Sequence, residues 1–117
     1  MSRDVVAELA TVLRERRSAD PESSYVAGLY AAGLNKILEK VGEESTEVIL
    51  AARDVRDPGA QAQKSAQELR DALANEVADL WFHSMVALTE CDINPQQVLD
   101  ILAERFGVSG IEEKRHR

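Results

Sequence analysis

Cysteine is nearly absent from these 117 residues: Cys91 stands alone. One cysteine can form no internal disulfide and no thiolate metal site, so neither staples the fold. Histidine occurs twice, at 83 and 116, too few for a histidine-rich zinc centre. Aromatics are 4 %, with six glycines and three prolines, which disfavours a sheet-rich or turn-rich architecture. No run of 18 apolar residues is present, so no membrane span is predicted. Positive charge is in deficit: 14 Lys and Arg against 21 Asp and Glu, net −7. A phosphate backbone would be repelled, which excludes nucleic acid as an expected partner. Met1-Ser2-Arg3-Asp4 leads into no signal-like apolar stretch, and a cytoplasmic location is expected.

What remains is rich in Ala, Leu, Val, Glu and Arg, and 44 % of residues are apolar, enough for a core. The length suits one domain over residues 1–117. No segment alternates with period two, whereas apolar residues recur at helical spacing. Five helices are predicted. The first runs from Asp4 to Arg17, its apolar face carrying Val5, Val6, Leu9, Val12 and Leu13. The second runs from Pro21 to Ala32 and stops at Gly33. The third runs from an Asn35 cap to Arg56, before Asp57-Pro58-Gly59. The fourth runs from Gln61 to Glu90, and the fifth from Asn94-Pro95 to Gly107. The expected fold class is all-α, a helical bundle with short connections.

Chemistry concentrates on the third and fourth helices. On a helical wheel Glu44 and Glu47 flank the apolar side formed by Ile37, Val41, Val48 and Ala52. Glu43 turns away from it and is expected to be the most exposed of the three. On the fourth helix Glu76 falls inside the apolar stripe of Leu69, Leu73 and Leu80, with Asp79 on its edge. A carboxylate there is costly unless it is paired or binds a cation. Only Lys40, one turn before Glu44, offers a nearby positive charge on either helix. A solvated acidic face explains the third helix alone, and a core ion pair to an arginine could explain Glu76. Two i, i+3 acidic pairs facing each other call instead for a multivalent cation.

The donors are all carboxylate oxygens, so the expected metal is Mg²⁺, with Mn²⁺ as a substitute. A di-iron bundle would need two Glu-x-x-His motifs on core helices. The one present, Glu113-x-x-His116, lies in the tail. Magnesium commonly shares its shell with substrate phosphates, so phosphoanhydride hydrolysis is the expected chemistry. His83 is read as a satisfied core or interface histidine, and Cys91 as a small residue near a helix end. Trp81 and Phe82 lie off the main stripe and are read as a dimer contact.

Lys40-Val41-Gly42-Glu43-Glu44-x-x-Glu47, followed by Glu76-x-x-Asp79-Leu80, resembles the signature of the all-α nucleoside-triphosphate pyrophosphohydrolases, the MazG-like superfamily. Ser24-Tyr25, Gly33-Leu34-x-Lys36 and the segment Arg105–Lys114 resemble its phosphoribosyl-ATP pyrophosphohydrolase family. The resemblance implies a dimeric helical fold and Mg²⁺-dependent cleavage of the α–β anhydride of phosphoribosyl-ATP, the second step of histidine biosynthesis. It implies metal ligation by Glu44, Glu47, Glu76 and Asp79, with Glu43 a supporting group or water base. Lys40 and Lys36 would face phosphate. Such domains can be fused to the next enzyme of the pathway; no residues remain for it here, so a stand-alone form is expected. Two other readings share these residues: a pyrophosphohydrolase acting on canonical or damaged (d)NTPs, and a non-catalytic helical dimerisation module.

Overall fold

The computed structural model describes residues 3–107. The tail motifs read from the sequence, from Val108 through Glu113-x-x-His116 to Arg117, lie outside the described residues. Within them the order is α1 (Val5–Arg16), α2 (Tyr25–Ala32), α3 (Leu34–Arg56), a 3₁₀ turn (Gly59–Gln61), α4 (Ala66–Glu90) and α5 (Gln96–Arg105). No strand occurs among the described residues, and the all-α expectation holds.

The helix ends follow local hydrogen bonding. Asp4 caps α1 by accepting from the amide of Ala7. Helix α2 starts later than its proline suggests. Residues 20–23 instead form a turn, in which the Asp20 side chain accepts from the amide of Glu22 and the Ser23 hydroxyl donates to the Asp20 carbonyl. Ser24 then caps α2 by accepting from the amide of Ala27. Helix α4 also starts later than predicted, at Ala66 and not Gln61. Ser65 and Glu68 form a reciprocal capping box, and Gly59–Gln61 make a separate 3₁₀ turn. Asn35 does not cap α3. That helix follows directly on Gly33, whose φ of 101° and ψ of 172° are open only to glycine. This residue ends α2 and begins α3, and so folds α2 back beside the start of α3.

The core is small: Leu13, Leu29, Tyr30, Ile37 and Val86, with Leu9, Val26, Phe82 and Met85 packed against it. It sits where α1 and α2 meet the start of α3 and the end of α4. Arg17 ties this end together, with Nη1 2.6 Å from Asp92 and Nη2 3.2 Å from Glu90. The rest of α3 and the first half of α4 form a long antiparallel pair that makes up the largest interhelical contact. The radius of gyration is 17.6 Å, well above the roughly 13 Å of a compact chain this long. Ile49 (67 %) and Trp81 (68 %) remain exposed. Phe82 packs against the core, so the Trp81-Phe82 pair is split between the surface and the interior.

Candidate active site

The α3–α4 pair brings together acids that are thirty residues apart in sequence. One carboxylate oxygen from each of Glu44, Glu76 and Asp79 lies within 4.8 Å of the others. Glu44 and Glu76 are half-buried and Asp79 is exposed. Glu76 is therefore less enclosed in the single chain than its place in the apolar stripe suggests. Its pKa is raised, first by desolvation and then by the charges of Glu44, Glu47 and Asp79. Glu47 is exposed and stands beside the trio, close enough for its charge to act on Glu76 but outside the set.

Lys40 is the nearest cation. Its Nζ lies 3.1 Å from Glu43 and 3.7 Å from Glu44. The hydrogen bond to Glu43 is the main cause of its raised pKa, followed by the nearby oxygen of Tyr25. The same bond holds Glu43 below the usual carboxylate range. Glu43 is thus on the flank, as expected, and engaged with Lys40. Lys36 lies one turn further back, with its Nζ 3.5 Å from Glu39. The Ser45 and Thr46 hydroxyls donate to the carbonyls of Val41 and Gly42, and so add nothing to the acid cluster.

Lys40, already paired with Glu43, stands against the four acids Glu44, Glu47, Glu76 and Asp79, which leaves an excess of negative charge across two helices. All the donors are oxygen, and the cluster has an exposed side. These features fit a hard divalent cation that keeps some of its water.

One relationship was not legible in the sequence. The Tyr25 hydroxyl is 2.8 Å from Nε2 of His83, and His83 Nδ1 is 2.7 Å from the Asp79 carbonyl oxygen. A carbonyl only accepts, so Nδ1 carries the proton. In the neutral ring Nε2 is then bare, and the Tyr25 hydroxyl donates to it. His83 is buried with both ring nitrogens bonded, as read from its position. The Ser24 cap was the available hint that Tyr25 opens a helix. Its long-range partner had no signal.

Two concavities lie away from the carboxylates. One, of about 190 Å³, is lined by Arg14, Arg17, Thr89 and Asn94, among others. The other, of about 260 Å³, is almost wholly apolar and includes Trp81, Met85, Leu88 and Leu99 in its lining. The cluster itself is an open groove between two helices. Comparison with known families finds one matching model, described as phosphoribosyl-ATP pyrophosphohydrolase, over residues 6–106.

Proposed function

Because the chain belongs to the phosphoribosyl-ATP pyrophosphohydrolase family, we propose that its α3–α4 groove is where that hydrolysis occurs. The activity itself comes with the family: hydrolysis of phosphoribosyl-ATP in histidine biosynthesis. The observation that carries the placement is the convergence of Glu44, Glu76 and Asp79 within 4.8 Å, around a Glu76 whose charge is disfavoured there.

In this reading Glu44, Glu76 and Asp79 hold Mg²⁺, with Glu47 beside them as the fourth ligand and Mn²⁺ as an acceptable substitute. The cation, when bound, neutralises phosphate oxygens and lowers the pKa of coordinated water. Lys40 supplies a fixed positive charge at the edge of the cluster for a phosphate oxygen. Glu43 holds Lys40 in place, and its lowered pKa suits that role better than taking a proton from water. Lys36 offers a second positive charge one turn further out. Water adds to the α- or β-phosphorus as that atom's bond to the bridging oxygen breaks; the bridging oxygen leaves on the other product, the proton of the attacking water passes to solvent, and phosphoribosyl-AMP and intact pyrophosphate depart.

We also propose a homodimer. The single chain is too extended and exposes too much apolar surface for its length, and its long helical pair has a free side. Among the described residues no helix is long and apolar enough to cross a membrane.

The test is a phosphorus-resolved product assay with phosphoribosyl-ATP and Mg²⁺. The expected products are phosphoribosyl-AMP and pyrophosphate in equal amounts. Stepwise release of orthophosphate would contradict the reaction. Full activity in excess EDTA would contradict the metal.

A further inference from the structure

Helices α3 and α4 are antiparallel, so positions toward the start of α3 lie level with positions toward the end of α4. Glu44 is level with Glu76 and Asp79. One turn on, about 5–6 Å along the axis, Lys40 of α3 comes level with His83 of α4. Tyr25 reaches this level through His83, with its hydroxyl 2.8 Å from Nε2. Tyr25, in the first turn of α2, therefore stands at one end of the carboxylate groove, one turn of α4 beyond Asp79.

Its side chain has two distinct parts. The hydroxyl is bound into the His83–Asp79 chain, and the ring meets His83 edge-on, with centroids 5.8 Å apart and planes at 83°. Yet the residue is 56 % exposed. An aromatic ring anchored at its polar tip and by one edge, on a residue more than half exposed, is a preorganised stacking surface. It stands one helical turn beyond the carboxylates. That is about the reach of the ribose between an α-phosphate and its base. In the other direction along the two helices the residues one turn beyond the cluster, Ala51 of α3 and Leu73 of α4, are aliphatic. Those offer a purine no ring to stack on.

We propose that Tyr25 positions the substrate by stacking its ring on the purine base, while Lys40 and the carboxylates hold the phosphates. This rests on the groove being the site of hydrolysis. It adds the end of the groove at which the nucleoside lies.

The experiment compares wild type, Tyr25→Phe and Tyr25→Leu, with phosphoribosyl-AMP and pyrophosphate as separate product inhibitors. Tyr25→Leu should raise KM for phosphoribosyl-ATP and weaken phosphoribosyl-AMP inhibition by about tenfold or more, the scale of base–aromatic stacking. Inhibition by pyrophosphate, which has no base, should stay within about twofold. Tyr25→Phe keeps the ring and loses only its anchor, so it should lose no more than about threefold. Equal weakening of both inhibitors in Tyr25→Leu would overturn the proposal, as would Phe and Leu variants that behave alike. Loss of dimer in Tyr25→Leu by light scattering would also overturn it, because the ring would then be a subunit contact. Failure of wild type to cleave phosphoribosyl-ATP would instead refute the reaction, independently of how Tyr25 behaves.

Discussion

Glu44 on α3 and Glu76 on α4 place carboxylate oxygens within 4.8 Å of each other, with Asp79 completing the trio. In the metal-free protein desolvation first, and then the charges of Glu44, Glu47 and Asp79, disfavour the ionised form of Glu76. This arrangement opposes stability unless a cation offsets it.

Glu76→Gln removes that charge at nearly constant shape. In EDTA at neutral pH the variant should be at least as stable as wild type in chemical denaturation. The sign with pH follows from the raised folded pKa of Glu76. The cost of ionising Glu76 is present at neutral pH and disappears as pH falls to the unfolded value near 4.3. The two proteins should therefore converge below about pH 4. Activity should fall by at least about 100-fold, since even partners outside the metal's own ligands cost about 10–100-fold. Mg²⁺ should raise the melting temperature of wild type more than that of the variant. A strongly destabilised variant that keeps activity would show that Glu76 is half of a structural ion pair.

Glu68 behaves in the opposite sense. Its pKa is lowered, first by the Ser65 backbone hydrogen bond and then by the Ser65 side chain. A depressed folded pKa contributes stability above the unfolded value, and that contribution is lost as pH falls through the folded one. Glu68→Gln should be less stable than wild type at pH 7, with the gap closing below about pH 4. Ser65→Ala removes the cap itself and should cost about 1 kcal/mol at pH 7, and somewhat less below about pH 4, where the Ser65 contribution to the lowered Glu68 pKa no longer counts. Urea melts at both pH values measure all three.

Lys40 is held by Glu43 at 3.1 Å and faces Glu44 at 3.7 Å. Lys40→Gln should reduce kcat/KM by about 100-fold, the scale of losing one charge-stabilising group. Lys40→Arg should recover part of it. Stability should change little, because Glu43 is half exposed and solvent screens its pair with the part-buried Lys40. Steady-state kinetics beside a thermal melt separates the two effects.

Ile49 is 67 % exposed on the long helical pair of the single chain. If a second copy covers that surface, Ile49→Glu should shift the protein from dimer toward monomer at micromolar concentration, as read by light scattering. A wild-type protein that is monomeric under the same conditions would rule out the dimer.

The helical periods and the stop at Gly33 are local features, so the all-α class and the helix stops could be read from the chain alone; the Ser65-x-x-Glu68 box is equally local, but the helical period running back to Gln61 masked it. The start of α2 was misread because a proline at a plausible first position competed with a better cap three residues later, at Ser24. Wheel geometry separated Glu44 and Glu76 from the outward Glu43, because a helix constrains which side chains share a face.

What the sequence determined by itself was therefore one-dimensional: which residues are helical, which face each acid takes, and, through the Lys40–Glu47 and Glu76–Leu80 motifs, which family they resemble. The tertiary structure alone decided which acids meet. It placed Asp79 with Glu44 and Glu76 and left Glu47 beside them, a distinction set by the rotation and register of two helices joined by a short connection. It also joined Tyr25 to His83, 58 residues apart. Such a contact depends on the angle at which α2 folds back at Gly33 onto α3 and α4, and no periodicity within a single helix encodes that angle.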